Sequence, residues 1–156
     1  MVIIHEDLIH ECPSHVPTLC QYVEHLKSKS LYNTPPTVAW LMLERMLAWV
    51  EQEGGLDEMG RRNKAKALKM YDYLDQSDFY NNSVPQAYRS RMNIPFSLAE
   101  SGMDKLFLEQ AEGHGLVGLK GHRLVGGMRA SFYNAMSYEG VLALIDFMEA
   151  FKARYG

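Results

Sequence analysis

The stretch that organises the fold reads Gly121-His122-Arg123-Leu124-Val125-Gly126-Gly127-Met128-Arg129 and runs on through Ala130-Ser131-Phe132-Tyr133-Asn134-Ala135. Its first nine residues hold two arginines, one histidine and three glycines. Glycine lets a backbone turn sharply and approach a ligand closely, and residues typical of a sheet follow at once. The stretch therefore predicts a charged loop that is anchored by a β-strand over residues 128–133.

Segments on both sides of this loop alternate between helical and strand patterns. Helices are predicted at about residues 56–74, at 103–113 and from Ser137 onward, and short strands at 79–80, 92–96 and 116–119. From residue 56 the predicted order is α-β-β-α-β-β-α. This order indicates an α/β protein of the α+β kind, with helices packed on one face of an antiparallel sheet.

The first third of the chain is less regular. Residues 1–4 read as a strand, and residues 5–34 carry scattered prolines, serines and histidines. Thr34 before Pro35 is a helix-start signal, because threonine caps a helix and proline fits its first position. The helix that follows, at about residues 38–50, is apolar on most sides, which predicts that it is largely buried.

Bulk composition excludes several classes of protein. Apolar residues make up 47% and charged residues 22% of 156 residues, which is typical of one soluble globular domain. A net charge of −3 argues against general binding to nucleic acid or to a membrane surface. Two cysteines form no disulfide framework, and the first residues do not resemble a signal peptide. We expect a cytoplasmic protein.

Two interpretations of His122, Arg123 and Arg129 are open from their local spacing. Arginine offers planar, bidentate donors to carboxylate or phosphate, so the three side chains are suited to a small molecule with two anionic groups. The alternative is that they are solvated charges around a glycine-rich turn.

Asn33 and Thr34 also allow two interpretations. A helix that starts here presents free N–H groups and the positive end of its dipole, to which two polar side chains add donors. The alternative is an ordinary helix cap.

Metal binding is considered for a cluster of six histidines and cysteines within 21 residues: His5, His10, Cys12, His15, Cys20 and His25. Their irregular spacing lacks any paired-ligand motif, so we predict no metal site. The basic run from Arg61 to Lys69 is predicted to be a solvated helix face.

Three stretches together resemble the C-terminal part of the phosphoserine aminotransferase family, a group of class-V, pyridoxal-phosphate-dependent aminotransferases: Leu31-Tyr32-Asn33-Thr34-Pro35-Pro36-Thr37, Arg89-Ser90-Arg91-Met92-Asn93-Ile94-Pro95-Phe96, and Leu119-Lys120-Gly121-His122-Arg123 continuing to Ala135. The resemblance covers essentially the whole chain. It implies the fold of the C-terminal part of these aminotransferases, in which residues 1–55 are a remnant of the large cofactor-binding domain with the interdomain helix. Residues 56–156 are then the C-terminal small domain.

The resemblance also implies roles for the polar residues. Asn33 and Thr34 match residues that bind the phosphate of pyridoxal 5'-phosphate in the neighbouring subunit, which implies a homodimer with a shared active site. His122 and Arg123 match residues that hold the phosphate of phosphoserine, and Arg129 matches the arginine that binds the α-carboxylate. The substrates implied are phosphoserine, glutamate and 2-oxoglutarate in L-serine biosynthesis, or a phosphorylated hydroxythreonine in vitamin B6 synthesis.

The resemblance implies no catalytic residue within this chain. In the family the lysine that forms the Schiff base lies upstream of the strand that begins here at Met1, and none of the eight lysines present matches it. Two hypotheses follow. The first is the C-terminal fragment of a phosphoserine aminotransferase, which is inactive by itself. The second is a catalytically inactive truncated small domain that only binds anions or pairs with an intact subunit.

Overall fold

The computed structural model describes residues 2–10, 12–100 and 102–156. The chain divides into two compact units, residues 1–49 and residues 50–156. The α-helices are α1 (Tyr22–Lys27), α2 (Thr37–Gln52), α3 (Gly55–Asp75), α4 (Asp104–Gly113) and α5 (Tyr138–Tyr155). The strands are β1 (Tyr80–Asn81), β2 (Asn93–Leu98) and β3 (Met128–Ser131). Short 3-10 turns occupy Glu6–Leu8, Thr18–Cys20 and Gln86–Tyr88.

The first unit contains helices but no strand among its described residues. The strand predicted for residues 1–4 is not formed at residues 2–4, which are irregular, and Met1 lies outside the described residues. A β-strand needs a hydrogen-bonded neighbour, and residues 2–4 pair with no described segment. The short helix α1 was not predicted, because its six residues are too few for a periodic pattern to stand out.

Helix α2 begins later than the sequence predicts. It starts at Thr37, and the N–H of Trp40 donates to the Pro36 carbonyl at 3.1 Å, so Thr34 is not the cap and Pro35 is not the first helical residue. The reason is the second proline: a residue that precedes proline is kept out of the helical region, and Pro35 precedes Pro36.

Burial of α2 is also different from the prediction. No residue of α2 is buried, and Val38 and Met42 are 74% and 65% exposed. The apolar side chains from which a buried helix was predicted are therefore present but exposed. Contiguous exposed apolar surface of this kind is a liability for aggregation.

The second unit is built on a three-stranded antiparallel sheet in the order β1-β2-β3. Along β2 and β3, Ile94 lies opposite Ala130 and Phe96 opposite Met128, and all four are buried. Because side chains alternate along a strand, the residues between them face away from the core. Arg129, opposite Pro95, is on that outer face.

Helix α3 covers the inner face with one long stripe. Gly54, which precedes α3, has φ 101°, a left-handed backbone conformation that glycine adopts without strain. The buried residues of the helix are Met59, Asn63, Lys66, Ala67, Met70, Tyr71 and Leu74. Two leucines of α3 are exposed: Leu68, at 49%, lies on the opposite side of the helix from Met70, and Leu56, at 82%, lies one turn before the first buried residue.

Aromatic side chains join the remaining helices to the same face. Phe107 of α4 is fully buried, with its ring centroid 5.9 Å from that of Phe96 and 5.0 Å from that of Phe151 on α5. The hydroxyl of Tyr80 donates to the Met148 carbonyl of α5 at 2.9 Å, and burial raises the pKa of that hydroxyl. These contacts confirm the predicted α+β arrangement, with helices on one face of an antiparallel sheet.

The strand predicted for residues 116–119 is also wrong. Residues 116–119 form no strand, and only an isolated bridge pairs Lys120 with Met128. Gly115 and Gly118 both have positive φ, at 79° and 78°, which breaks the extended backbone that a ladder requires.

Candidate anion-binding site

The glycine loop, defined here as residues 121–127, is closed by its own backbone. The Gly121 N–H donates to the Gly127 carbonyl at 2.9 Å. Inside the loop, the N–H groups of Val125 and Gly126 donate to the His122 carbonyl at 2.9 and 2.8 Å. These three hydrogen bonds fix the backbone of the loop, and a fixed loop lowers the entropy cost of binding a ligand.

Glycine is required at both ends of this loop. A Cβ atom on Gly121 would lie 2.2 Å from the Gly126 oxygen and 2.6 Å from the Gly127 oxygen. Gly127 has φ +61°, and a Cβ there would lie 2.7 Å from the Phe96 oxygen. The glycines thus allow the loop to fold back on itself against β2.

His122 and Arg123 are both exposed at the start of the loop. The Nδ1 atom of His122 accepts a hydrogen bond from the Leu124 N–H at 3.3 Å. Among the described residues, no carboxylate forms a salt bridge with Arg123. The guanidinium is therefore available to an anion from solution.

Arg129 is held by the same hairpin, on β3. Its N–H donates to the Leu119 carbonyl at 2.7 Å, and its side chain is exposed between buried Met128 and Ala130. Within the described part of the chain, Arg129 also lacks a salt bridge to a carboxylate. The sheet therefore directs a second unneutralised arginine outward.

The structure brings these three residues onto one short hairpin. Backbone hydrogen bonds join Gly121 to Gly127 and Leu119 to Arg129, two residues further along. Two residues of extended chain span about 7 Å, so Arg129 lies at a fixed, short distance below the base of the loop. The backbones of Arg123 and Arg129 are therefore held on one hairpin, and arginine side chains suit carboxylate or phosphate groups.

Asn33 and Thr34 lie in the first unit, on the exposed segment before α2. No described residue hydrogen-bonds with either side chain, so an amide and a hydroxyl are free to donate. Phosphate oxygens accept such bonds, so these two residues fit a cofactor phosphate. Since Thr34 is not the helix cap, the dipole argument for this pair does not hold.

The histidines and cysteines of the first unit do not converge. Across residues 2–10, 12–100 and 102–156, no group of three or more His, Cys, Asp or Glu side chains could hold a metal ion. The Nε2 atom of His25 instead pairs with the Leu19 carbonyl at 2.8 Å, and Cys12 and Cys20 are free thiols. The absence of a metal stays a prediction.

A polar cluster on the inner side of α3 was missed by sequence reasoning. Lys66 is only 2% exposed, and its Nζ donates to the carbonyls of Tyr133 and Met136 at 2.8 Å each. Asn63 donates from Nδ2 to Oδ1 of Asn134 at 2.8 Å, while its own Oδ1 is buried without a partner. Burial lowers the pKa of the Lys66 ammonium, and repulsion by Arg62 adds to this effect.

Lys66 corrects the prediction that the whole basic run is a solvated helix face. A signal was present: Asn63 and Lys66 fall at helical spacing between Met59 and Met70, within the apolar stripe. Hydrogen bonds of this cluster join the segment between β3 and α5 to helix α3. That chain directly follows the strand carrying Arg129.

Comparisons with known proteins agree on one family. The Aminotransferase class-V family model matches residues 13–144. The phosphoserine aminotransferase of Coxiella burnetii is 48% identical over 157 residues, covering 100% of this chain and 44% of that protein. The chain thus spans less than half the length of the curated relatives it matches.

Solved structures agree in fold. The phosphoserine aminotransferase from Bacillus circulans subsp. alkalophilus superposes with a TM-score of 0.91 at 48% identity, over 97% of this chain and 42% of that one. A pyridoxal-phosphate-bound phosphoserine aminotransferase from Trichomonas vaginalis gives a TM-score of 0.81 at 36% identity, over 89% and 40% of the two chains. The expected fold, that of a C-terminal part of such enzymes, is confirmed.

Proposed function

The chain belongs to the class-V aminotransferase family, and on this premise we propose that it is the substrate-anion-binding part of a phosphoserine aminotransferase. The whole enzyme transfers an amino group from glutamate to 3-phosphohydroxypyruvate, which yields phosphoserine and 2-oxoglutarate in L-serine biosynthesis. A phosphorylated hydroxythreonine, on the route to vitamin B6, has the same two anionic groups and is a second substrate of the same site.

One observation carries this proposal: two exposed arginines without carboxylate partners in the described structure share one hairpin with a histidine. His122 and Arg123 hold the substrate phosphate, and Arg129 holds the α-carboxylate. Arginine pairs with both groups through two parallel N–H donors, so the hairpin orients the molecule as well as attracting it.

Asn33 and Thr34 hold the cofactor phosphate in this proposal. Their free amide and hydroxyl are neutral donors, which suit a phosphate whose charge is balanced by other groups. Pyridoxal phosphate supplies, when bound, the electron sink for amino transfer. The residues of this chain bind and orient the substrate and the cofactor phosphate. The lysine that attaches the cofactor covalently is proposed to belong to the segment that the relatives have before the matching region.

The proposed assembly is a homodimer in which Asn33 and Thr34 of one subunit contact the cofactor of the other. The division of the chain into a remnant of the large domain, residues 1–55, and the small domain, residues 56–156, belongs to the same proposal. The proposed compartment is the cytoplasm, supported by two free cysteines. None of the described helices is long and apolar enough to cross a bilayer.

The test compares two ligands on this chain by NMR titration: O-phosphoserine and O-phosphoethanolamine, which lacks the carboxylate. Arg123→Ala is expected to weaken both by about tenfold, because each loses a charge-assisted hydrogen bond to its phosphate. Arg129→Ala is expected to weaken only O-phosphoserine, also by about tenfold.

Arg154→Ala is the matched control, since Arg154 is an arginine of the same unit at the end of α5. It should leave both dissociation constants unchanged. The assignment is wrong if Arg129→Ala weakens the two ligands equally, or if neither ligand shifts the amide resonances of the glycine loop.

A further inference from the structure

Beside Arg129, the outer face of the sheet carries a second polar pair. Asn93 of β2 lies directly opposite Ser131 of β3. Two residues along β2, Pro95 lies opposite Arg129, and Ile94 between them is buried. Because side chains alternate along a strand, Asn93 and Ser131 share the outer face with Arg129.

The Ser131 hydroxyl holds one end of the Asn93 amide. Oγ of Ser131 donates to Oδ1 of Asn93 at 3.1 Å. The backbone N–H of Asn93 donates to Oγ of Ser90, also at 3.1 Å, so backbone and side chain of this residue are both bonded. The oxygen and the NH2 group of an amide are attached to the same carbon, so a hydrogen bond that fixes Oδ1 also fixes the direction of Nδ2.

The Nδ2 group of Asn93 offers two N–H donors that the fold does not use. In the described part of the chain no acceptor takes a hydrogen bond from it. Within the same ranges the side-chain atom that is buried without a partner is Oδ1 of Asn63, so Nδ2 of Asn93 is open to solvent. Asparagine is depleted in strands, so strand propensity does not explain its place in β2.

We propose that Asn93 is a second donor to the substrate α-carboxylate, with Oδ1 held by Ser131 and Nδ2 donating to the carboxylate that Arg129 binds. This inference rests on the proposed function and adds a residue to the same site. Diagonal neighbours on two antiparallel strands lie about 7–8 Å apart, within reach of a long side chain. A carboxylate accepts the two parallel N–H donors of arginine and still has lone pairs for an amide.

A neutral donor at this position has a different effect from that of a second cation. Arg129 attracts the carboxylate through its charge. A further hydrogen bond from Asn93 comes from the neighbouring strand, and therefore from another direction, so it limits how the carboxylate turns on the guanidinium. Orientation of this kind places the reacting end of a substrate and does not depend on net charge.

The first measurement follows the side-chain amide resonances of the unaltered chain by 1H–15N NMR. O-phosphoserine should shift the Nδ2 resonances of Asn93, and O-phosphoethanolamine, which lacks the carboxylate, should not. Nδ2 of Asn63 is the internal reference, because it already donates to Oδ1 of Asn134 at 2.8 Å and neither ligand should move it.

Two results of this titration would overturn the inference. The first is that O-phosphoserine shifts the amides of the glycine loop and leaves the Asn93 side chain unchanged, as it would if Oδ1 pointed outward. The second is that the two ligands shift the Asn93 side chain equally.

The second measurement compares dissociation constants of variants. Asn93→Ala should raise that of O-phosphoserine about fivefold and leave that of O-phosphoethanolamine unchanged, because only the carboxylate loses a donor. Ser131→Ala keeps the donor but frees the amide to turn, so the rise should be smaller, about twofold. Ser131→Thr keeps the hydroxyl and should bind both ligands as the unaltered chain does. Equal weakening of both ligands by Asn93→Ala, or no weakening at all, would contradict the inference.

The proposed function can fail separately. If Arg129→Ala weakens the two ligands equally, the carboxylate does not lie at Arg129, and the proposed function and the role of Asn93 are both wrong. If Arg129→Ala weakens only O-phosphoserine while the Asn93 side-chain amide does not respond to that ligand, only the present inference is wrong.

Discussion

At position 121 the backbone leaves no room for a side chain. The nearest atoms to a Cβ on Gly121 are the carbonyl oxygens of Gly126 and Gly127, which are backbone atoms and cannot rotate away. The closure of the glycine loop therefore depends on the absence of a single carbon atom. The orientation of His122 and Arg123 depends on that closure.

Gly121→Ala is expected to open the loop. It should lower the free energy of unfolding by about 1–3 kcal/mol, because a crowded site must move backbone to relieve the overlap. Phosphate binding should be lost as well. Thermal unfolding and phosphate titration by NMR check both effects.

Gly60→Ala is the matched control, in the middle of α3. A Cβ there meets no atom within 4 Å, and φ is not in the left-handed region. This substitution should instead raise stability by about 0.5–1 kcal/mol, as alanine does in a helix interior. A Gly121→Ala chain as stable as the Gly60→Ala chain would contradict the steric argument.

At the scale of elements, the first turns of α3 carry a compact ion cluster. Glu58 accepts from Arg61 at 2.7 Å and from Arg62 at 2.8 Å, and Arg62 also donates to Glu53 at 2.6 Å. These hydrogen bonds, from Arg61 first and Arg62 second, lower the pKa of Glu58 from 4.5 to about 2. The negative charge near the helix N-terminus is also favoured by the helix dipole.

The pH dependence of stability follows from this shift. Because the pKa of Glu58 is lower in the folded chain, its contribution is complete above about pH 4.5 and is lost as the pH falls towards about 2. Glu58→Gln should therefore flatten the acid limb of a stability–pH curve measured by thermal unfolding. The effect should be small in high salt, because the cluster is partly exposed.

Glu112→Gln provides the comparison, since Glu112 is an exposed glutamate of α4 without a salt bridge among the described residues. The acid limb of the stability–pH curve of Glu112→Gln should match that of the unaltered chain. Identical curves for Glu58→Gln and Glu112→Gln would show that the ion cluster adds nothing to stability.

Helix α2 differs from the other long helices because its apolar side chains are uncovered. Val38, Met42 and Met46 repeat every four residues and are all more than half exposed. Such a stripe promotes self-association of the isolated chain. The pattern of the sequence is that of a buried helix, whereas the side chains themselves are exposed.

Replacing both Met42 and Met46 by lysine should reduce concentration-dependent light scattering and dye binding to apolar surface. Lysine and methionine have similar helix propensity, so the helix itself should persist. Glu44→Lys changes the net charge by the same amount without removing apolar surface, and it should leave scattering unchanged. If both variants reduced light scattering equally, the effect would be due to charge and not to the loss of apolar surface.

At the scale of the whole molecule, we propose that this chain supplies binding residues and that the lysine which attaches the cofactor lies outside it. A covalent site needs an uncharged amine next to the cofactor carbonyl. The buried lysine, Lys66, directs its Nζ at backbone carbonyls. Lys120 adjoins the glycine loop but is exposed.

Treatment with pyridoxal phosphate and then borohydride is therefore expected to label several lysines weakly and none stoichiometrically. Mass spectrometry of peptides measures the labelling of each lysine. Lys120→Arg should leave the total nearly unchanged. A single stoichiometric adduct, on Lys120 or any other lysine, would contradict the proposal that the attaching lysine lies outside this chain.

Much of the fold could be predicted from local patterns. The predicted helices at about 56–74 and 103–113 match α3 and α4, because their apolar residues recur at helical spacing. The predicted strands around 79–80, 92–96 and 128–133 overlap β1, β2 and β3, although the bounds differ by one to two residues. The error at residues 116–119 arose where glycines of positive φ interrupt an apolar run that reads as extended.

The sequence by itself determined the composition of the candidate site and the elements that carry it. Glycines, a histidine and two arginines lie within nine residues, and a run of sheet-forming residues follows them. These are local properties, and local sequence is enough to show them.

The tertiary structure alone decided which charged residues are buried and which are free. Lys66 and Arg129 both have apolar residues on either side in the sequence, yet Lys66 is enclosed by carbonyls 67 and 70 residues away, while Arg129 projects from the outer face of the sheet. Those outcomes depend on contacts between distant segments, as does the lack of cover over α2. A window of neighbouring residues can place Lys66 on the apolar stripe of α3, but it cannot supply the carbonyls around Nζ, because burial is a property of what the rest of the chain places against a side chain.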